Sequence, residues 1–225
     1  MNNVLYEDNH IIVVVKKPNV PVCEDESKDK DLLTITKEYI KTKYNKPGNV
    51  FLGLVHRLDR PVGGIMVFAR TSKAASRLSN QIREDKFNKI YHAVVVGKVN
   101  TKEEYKDFLL KDPKTNISVV DPNGKLSILN YDLISYKNEM SLVKVYLKTG
   151  RSHQIRVQFS SHNHPLYGDQ KYNKNTPKDN IALFASSLSF YHPITNELLE
   201  FKQELPNKYP FNIFKKYIVI RKKMC

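Results

Sequence analysis

The stretch Leu54-Val-His-Arg-Leu-Asp-Arg-Pro-Val-Gly-Gly-Ile-Met-Val-Phe-Ala69 sets the reading of the chain, because it places one carboxylate between two guanidinium groups at the mouth of an apolar strand. Ile65, Val67 and Phe68 read as buried strand. Pro61 and the Gly63-Gly64 pair prescribe an irregular loop ahead of it. Arg57 and Arg60 surround Asp59 with positive charge, and an anion on a loop anchored by a strand has the makings of a nucleophile or a base. The same carboxylate would serve equally as a solvated loop residue, a helix cap or an arginine's partner, so the rest of the chain must decide.

Upstream, Val4 to Pro18 reads as two short extended pieces around an Asp8-Asn9 turn, the second β-branched and ended by proline. Residues 23 to 31 are charged and aperiodic, which predicts a mobile surface loop, and a helix follows from Leu32 to about Tyr44. Downstream, Thr71-Ser72 offers a cap to a helix running through Asp85, with Ala74, Ala75, Leu78 and Ile82 on one face. Ile90 to Val99 reads as a strand covered on both faces. Glu104 to Leu147 gives short alternating segments divided by Asp112-Pro113 and Asp121-Pro-Asn-Gly124, the pattern of an antiparallel meander. Ile181 to Tyr191 is another strand. The tail from Pro206, with Phe211, Phe214 and Tyr217 among basic residues, fits either a packed element or a basic flap. Strands outnumber helices and no repeat or linker appears, so the expectation is a single α+β domain over residues 1 to 225, with a basic tail at 207 to 225. Its central sheet should be mixed but largely antiparallel, flanked by helices and loops.

Composition narrows the partners. The 37 basic and 23 acidic side chains leave a formal charge of +14 and a pI near 9.6, which favours a polyanion, nucleic acid first, over an acidic small molecule. Two cysteines, Cys23 and Cys225, do not make a disulfide framework, and no charged-then-apolar leader precedes Val4. No apolar run approaches the roughly 18 to 20 residues of a membrane span. A reduced, cytoplasmic protein with no membrane partner is expected.

The second dense patch is Lys148-Thr-Gly-Arg-Ser-His-Gln-Ile-Arg-Val-Gln-Phe-Ser-Ser-His-Asn-His-Pro-Leu-Tyr-Gly-Asp169. Ser152 is placed to cap a short helix, on which Ile155 and Phe159, four apart, would face the core. Arg151 and Arg156 would then point to a pocket or to phosphates. His153, His162 and His164 invite a metal, but no cysteine or carboxylate pattern completes a site, so none is expected.

Taken together these segments closely resemble the RluA-type pseudouridine synthases, RNA-modifying enzymes that turn uridine into its carbon-linked isomer. The resemblance runs from about Val4 to Pro206, through the opening strands, His56-Arg-Leu-Asp59, Lys89-Ile-Tyr-His-Ala-Val94, Thr149-Gly-Arg-Ser-His-Gln-Ile-Arg-Val157, His164-Pro-Leu-Tyr-Gly-Asp169 and Ala185 to Pro193. It implies that Asp59 is the essential aspartate, Tyr91 the active-site tyrosine, Arg156 the arginine that pairs with that aspartate, and Arg57 an arginine that enters the RNA stack. Arg57, Arg60, Arg151 and His153 are the candidate RNA contacts, with Lys16, Lys17, Arg83, Lys86 and Lys89 as further candidates for phosphates.

The isomerisation requires no cofactor and no metal. Large-subunit ribosomal RNA is the favoured substrate, transfer RNA the second, and a monomer the default. Where many relatives continue Asp-Thr-Ser-Gly after the arginine, this chain has Pro61-Val62-Gly63-Gly64, losing two hydroxyls that would meet RNA. The small N-terminal RNA-binding module of some relatives is not expected here. The alternative readings are a catalytically silent RNA-binding or ribosome-assembly factor, and a hydrolase of free nucleosides.

Overall fold

A computed structural model describes residues 3–216. In chain order its elements are β1 (Val4–Glu7), β2 (Ile11–Lys16), α1 (Leu32–Lys43), β3 (Gly53–Leu54), β4 (Gly63–Ala69), α2 (Ser72–Arg83), β5 (Asn88–Val96) and β6 (Lys102–Asp112). There follow β7 (Ile117–Val120), β8 (Lys125–Lys137), β9 (Met140–Leu147), α3 (Gln154–Ser161), β10 (Leu183–Tyr191), β11 (Leu198–Lys202) and a 3-10 helix, Phe211–Phe214. The described residues divide into two compact units, 3–88 with 185–203, and 89–184 with 204–216.

In the first unit the strand order is β1-β2-β4-β10, with β3 on β4 and β11 on β10. The expected Asp8 turn forms because the Asp8 Oδ1 accepts from the backbone N–H of His10 (2.7 Å) and Ile11 (2.8 Å), closing β1 onto β2. β2 is antiparallel to β4, with Ile12 opposite Phe68, Val14 opposite Met66 and Lys16 opposite Gly64. Side chains alternate along a strand, so Ile11 and Val13 share one face while Ile12, Val14 and Lys16 share the other. Both faces are buried. Ile11, Val13, Ile65, Val67 and Ala69 pack with Ala74 and Leu78 of α2 and with Leu188 and Phe190 of β10. Each fully buried aliphatic of this kind stabilises the fold by about 1.5–3 kcal/mol. Both helices start where the sequence places them: Asp31 accepts from Thr34 N–H (2.9 Å) and Thr71 Oγ1 from Ala74 N–H (3.1 Å).

Two features of this unit depart from the sequence reading. Gly63 and Gly64 are not loop but the first residues of β4. Gly64 adopts φ +132, and a Cβ there would lie 2.3 Å from the Ala185 carbonyl oxygen, so the glycine serves a close approach of two backbones rather than a turn. β11 is a strand that the pattern hides: burial alternates along it, but an apolar residue, Leu198, takes an outward position at 62 % exposure and so breaks the apolar-polar alternation of the sequence.

The second unit has the strand order β5-β9-β8-β6-β7. β5, β9, β8 and β6 pair antiparallel in succession. The Asn138-Glu139 turn joining β8 to β9 has both residues at positive φ (52 and 54), the conformation of a tight hairpin. The region is not a simple meander: β7 and β8 are consecutive, yet β7 pairs with β6 along Leu109–Asp112 and β8 with β6 along Lys102–Leu109. Asp121-Pro-Asn-Gly124 is therefore a kink rather than a hairpin turn. Gly124 is required in it, since a Cβ would lie 2.4–2.7 Å from the Leu109 backbone.

Tyr105, Tyr131 and Phe159 form a ring cluster with centroids 5.2 Å apart, fixing α3 against the sheet. Ile155 and Phe159 are buried as expected. Ser152 is not the cap of α3, however. His153 occupies the cap position at φ 54 with no capping side chain, and Gln154 reaches back instead, its Oε1 accepting from Arg151 N–H (3.0 Å) and the Thr149 hydroxyl (2.8 Å). In the tail, Phe211 and Phe214 are buried, so this part is a packed element. Tyr217, the basic residues beyond Lys216 and Cys225 lie outside the described residues.

Candidate active site

Asp59 lies in the first unit, on the segment linking β3 to β4. Leu58 and Val62, both buried, pin the segment on either side of it. Val62 N–H donates to the Asp59 carbonyl (3.0 Å), closing a turn around Arg60 and Pro61. His56 fastens the approach: its Nε2 accepts from Val67 N–H of β4 (3.1 Å), which places the proton of the neutral ring on Nδ1. Beneath the turn lies Lys16, with no exposed surface. Its ammonium donates to the carbonyls of Arg60 (2.8 Å) and Lys17 (3.1 Å). Burial pushes this lysine down to about 8; the Asp59 carboxylate acts against that shift and the Arg60 charge with it. A side chain in this position is not available to a phosphate, which corrects the sequence expectation for Lys16. The pattern holds the clue, because Lys16 continues the Ile12, Val14 face of a strand buried on both sides.

Arg57 is exposed. Arg60 is held by the charged loop 23–31: its guanidinium donates to Asp25 (3.1 Å), Ser27 (2.6 Å) and Asp29. That loop is irregular and exposed as expected, but three of its side chains are occupied in this contact.

Tyr91 and Arg156 lie in the second unit. Tyr91 is buried on β5, opposite Val145 of β9. Arg156 projects from α3 and forms a two-pronged pair with Asp169, Nε to Oδ2 at 2.8 Å and Nη2 to Oδ1 at 2.7 Å, with side chains 6 % and 0 % exposed. Bidentate geometry of this kind fixes the plane of a guanidinium as well as its charge. The Tyr172 ring lies 5.2 Å from the Arg156 guanidinium carbon. The Tyr172 hydroxyl is 2.7 Å from His153 Nδ1 and accepts from Ser118 N–H (2.8 Å), so His153 is tied to the support of Arg156. Sequence reasoning does not single out Asp169 or Tyr172. The available signal is an aspartate beside a glycine in the second patch: a Cβ on Gly168 (φ +75) would lie 2.3 Å from the Asn180 carbonyl oxygen, and the Asp169 carbonyl accepts from Tyr172 N–H (3.2 Å) and Asn173 N–H (2.8 Å).

Arg151 is exposed and donates through Nε to the Leu126 carbonyl (3.1 Å). The three histidines do not gather: His162 stacks on Tyr105 at 3.8 Å and faces Asp107, and His164 lies 3.0 Å from the Val96 carbonyl. No helix among the described residues is long and apolar enough to cross a membrane.

With this geometry in place, residues 10–161 match the family model described as RNA pseudouridylate synthase. The chain belongs to the RNA pseudouridylate synthase family. It is therefore an enzyme of the isomerase class, as the motif resemblance implies. Among curated relatives of this family, "Ribosomal large subunit pseudouridine synthase D" of Buchnera aphidicola subsp. Baizongia pistaciae is 34% identical over 91% of this chain and 69% of that protein. An uncharacterized RNA pseudouridine synthase of Bacillus subtilis is 33% identical over 91% of this chain and 72% of its own length. The solved structure of human RNA pseudouridylate synthase domain containing 4 superposes with a TM-score of 0.79, at 20% identity, covering 96% of this chain and 92% of that one. It confirms the α+β fold of the family.

Proposed function

We propose that the chain isomerises uridines in structured RNA, large-subunit ribosomal RNA being the first substrate to try, and that Asp59 acts at the glycosidic centre after the base is flipped out. The chemistry breaks the C1′–N1 bond, forms C1′–C5, and exchanges the C5 proton for one on N1, so no electrons are gained or lost. A carboxylate suits it, either by attacking the electron-poor anomeric carbon or by taking a sugar proton. The observation that carries this reading is the segment itself: a carboxylate on a turn pinned by buried Leu58 and Val62, with a buried ammonium beneath it. The +14 charge and the names of the curated relatives favour ribosomal RNA.

In this reading Tyr91 stacks on the detached uracil and its hydroxyl helps to move the last proton. Arg156, its plane fixed by Asp169, supplies the positive charge that the motif assigns to this arginine. Arg57 refills the space left by the flipped base, a step that offsets a few kcal/mol of lost stacking. Arg60, Arg151 and His153 contribute RNA contacts, Arg60 exchanging the carboxylates of its loop for phosphate.

The test is release of tritium from RNA labelled at uracil C5, prepared from cells lacking the modification. Asp59→Asn should lower release by at least about a hundredfold while RNA binding persists. Equal release from both proteins would remove Asp59 from the chemistry. No release from either, with binding intact, would leave an RNA-binding factor without activity.

A further inference from the structure

Lys16 is a buried cation near Asp59 to which no role in the reaction has been given, and its contacts are unusual. A lysine without exposed surface normally meets a carboxylate at hydrogen-bond distance; this one meets two carbonyls, that of Arg60 on the segment it underlies and that of its own neighbour Lys17. The Arg60 carbonyl is the shared point of attachment, since it also accepts from Asn19 N–H at 2.9 Å. One residue earlier the Asp59 carbonyl accepts from Val62 N–H at 3.0 Å. Two consecutive peptide groups at the candidate nucleophile are thus fixed by hydrogen bonds, and one of these bonds comes from an ammonium.

We propose that Lys16 is a positioning residue for the reaction: it clamps the backbone at Asp59 and Arg60 and sets a positive charge beside the Asp59 carboxylate. The charge half of this proposal rests on the reading of Asp59 given above; the clamp half does not. The neighbouring Arg60 guanidinium is held by Asp25, Ser27 and Asp29. Opposite Lys16 on β4 is uncharged Gly64. The charged groups that act on Lys16 are Asp59 and Arg60.

The two halves separate with pH. A neutral amine still donates to the Arg60 carbonyl, so deprotonation leaves the clamp in place and removes only the charge. With burial holding Lys16 down to about 8, the charge is present below that pH and lost above it. A lysine that merely fills space would give no such limb.

The experiment compares wild type, Lys16→Met and Lys16→Arg by tritium release as a function of pH, and by amide hydrogen exchange at Asn19 and Val62. Expected are a fall in kcat of roughly tenfold to a hundredfold in Lys16→Met with little change in KM for RNA, and exchange at the two amides faster by about tenfold. Wild-type kcat should decline as pH rises through about 8; that limb should vanish in Lys16→Met and move to higher pH in Lys16→Arg, where the charge persists. Unchanged exchange in Lys16→Met overturns the clamp. A flat wild-type profile from pH 7 to 9.5 overturns the charge, and does so without any variant having to fold. Should wild type release no tritium from any RNA, the proposed function fails, while the exchange experiment still decides the clamp.

Discussion

Lys16 in the first unit and Arg156 in the second both carry their charge with almost no exposed surface, yet the chain satisfies them by opposite means. Lys16 is held by carbonyl dipoles, while Arg156 is held by a carboxylate in two parallel hydrogen bonds and by an aromatic face. A guanidinium so paired stays charged at every accessible pH. An ammonium whose hydrogen bonds all go to carbonyls keeps its proton less firmly: burial lowers Lys16 to about 8, and the Asp59 charge offsets only part of that. One device gives a permanent charge in a fixed plane, and the other gives a charge that titrates.

The largest effect expected from breaking this contrast is at Asp169. Asp169→Asn takes from a buried guanidinium the carboxylate that holds it in two hydrogen bonds, and should destabilise the protein by about 3–5 kcal/mol in chemical denaturation. The double variant Arg156→Met with Asp169→Leu should lose much less than the sum of the single changes, because both members of the bidentate pair leave together.

A smaller and opposite signature is expected at Lys16. Its folded value near 8 lies below the ordinary 10.5, so between these values the unfolded chain holds the proton and the folded chain does not. Stability contributed by this group must therefore rise with pH across that window, by about 3 kcal/mol in all. Denaturation from pH 7 to 10 should show the rise in wild type relative to Lys16→Met. Parallel curves for the two proteins would mean that Lys16 titrates normally.

Tyr172→Phe sharpens the comparison at lower amplitude. The ring over Arg156 remains, but the hydroxyl shared by His153 and buried Ser118 is lost, at about 1–3 kcal/mol. Smallest are the helix starts: Thr71→Ala should cost about 1 kcal/mol, whereas Ser152→Ala, at a helix that has no capping side chain, should stay within about 0.5 kcal/mol.

The elements legible in the sequence are those whose signals are local. Thr71 before an amphipathic run and the β-branched Ile11 to Val15 run each announce their structure within one turn or one strand. Asp59 is legible too, through its neighbours and its motif, though its role still rests on the proposed chemistry. What escapes depends on residues far apart in the chain. Nothing near Asp169 states that its partner lies thirteen residues earlier, and nothing near Lys16 states that it will meet the carbonyl of Arg60, 44 residues away. Asp121-Pro-Asn-Gly124 misleads for the same reason: its composition is that of a hairpin turn, and only the pairing of β6 with both β7 and β8 makes it a kink.

Gly64 carries a consequence for the genetics of the chain. Its backbone lies so near Ala185 that even a methyl group would fall 2.3–2.6 Å from the Ala185 carbonyl oxygen, nitrogen and Cβ. In a saturation library selected for folded protein, this position should retain a single amino acid, spelled by four synonymous codons. Gly48, where an added methyl would meet nothing within 4 Å, should admit nearly the whole alphabet.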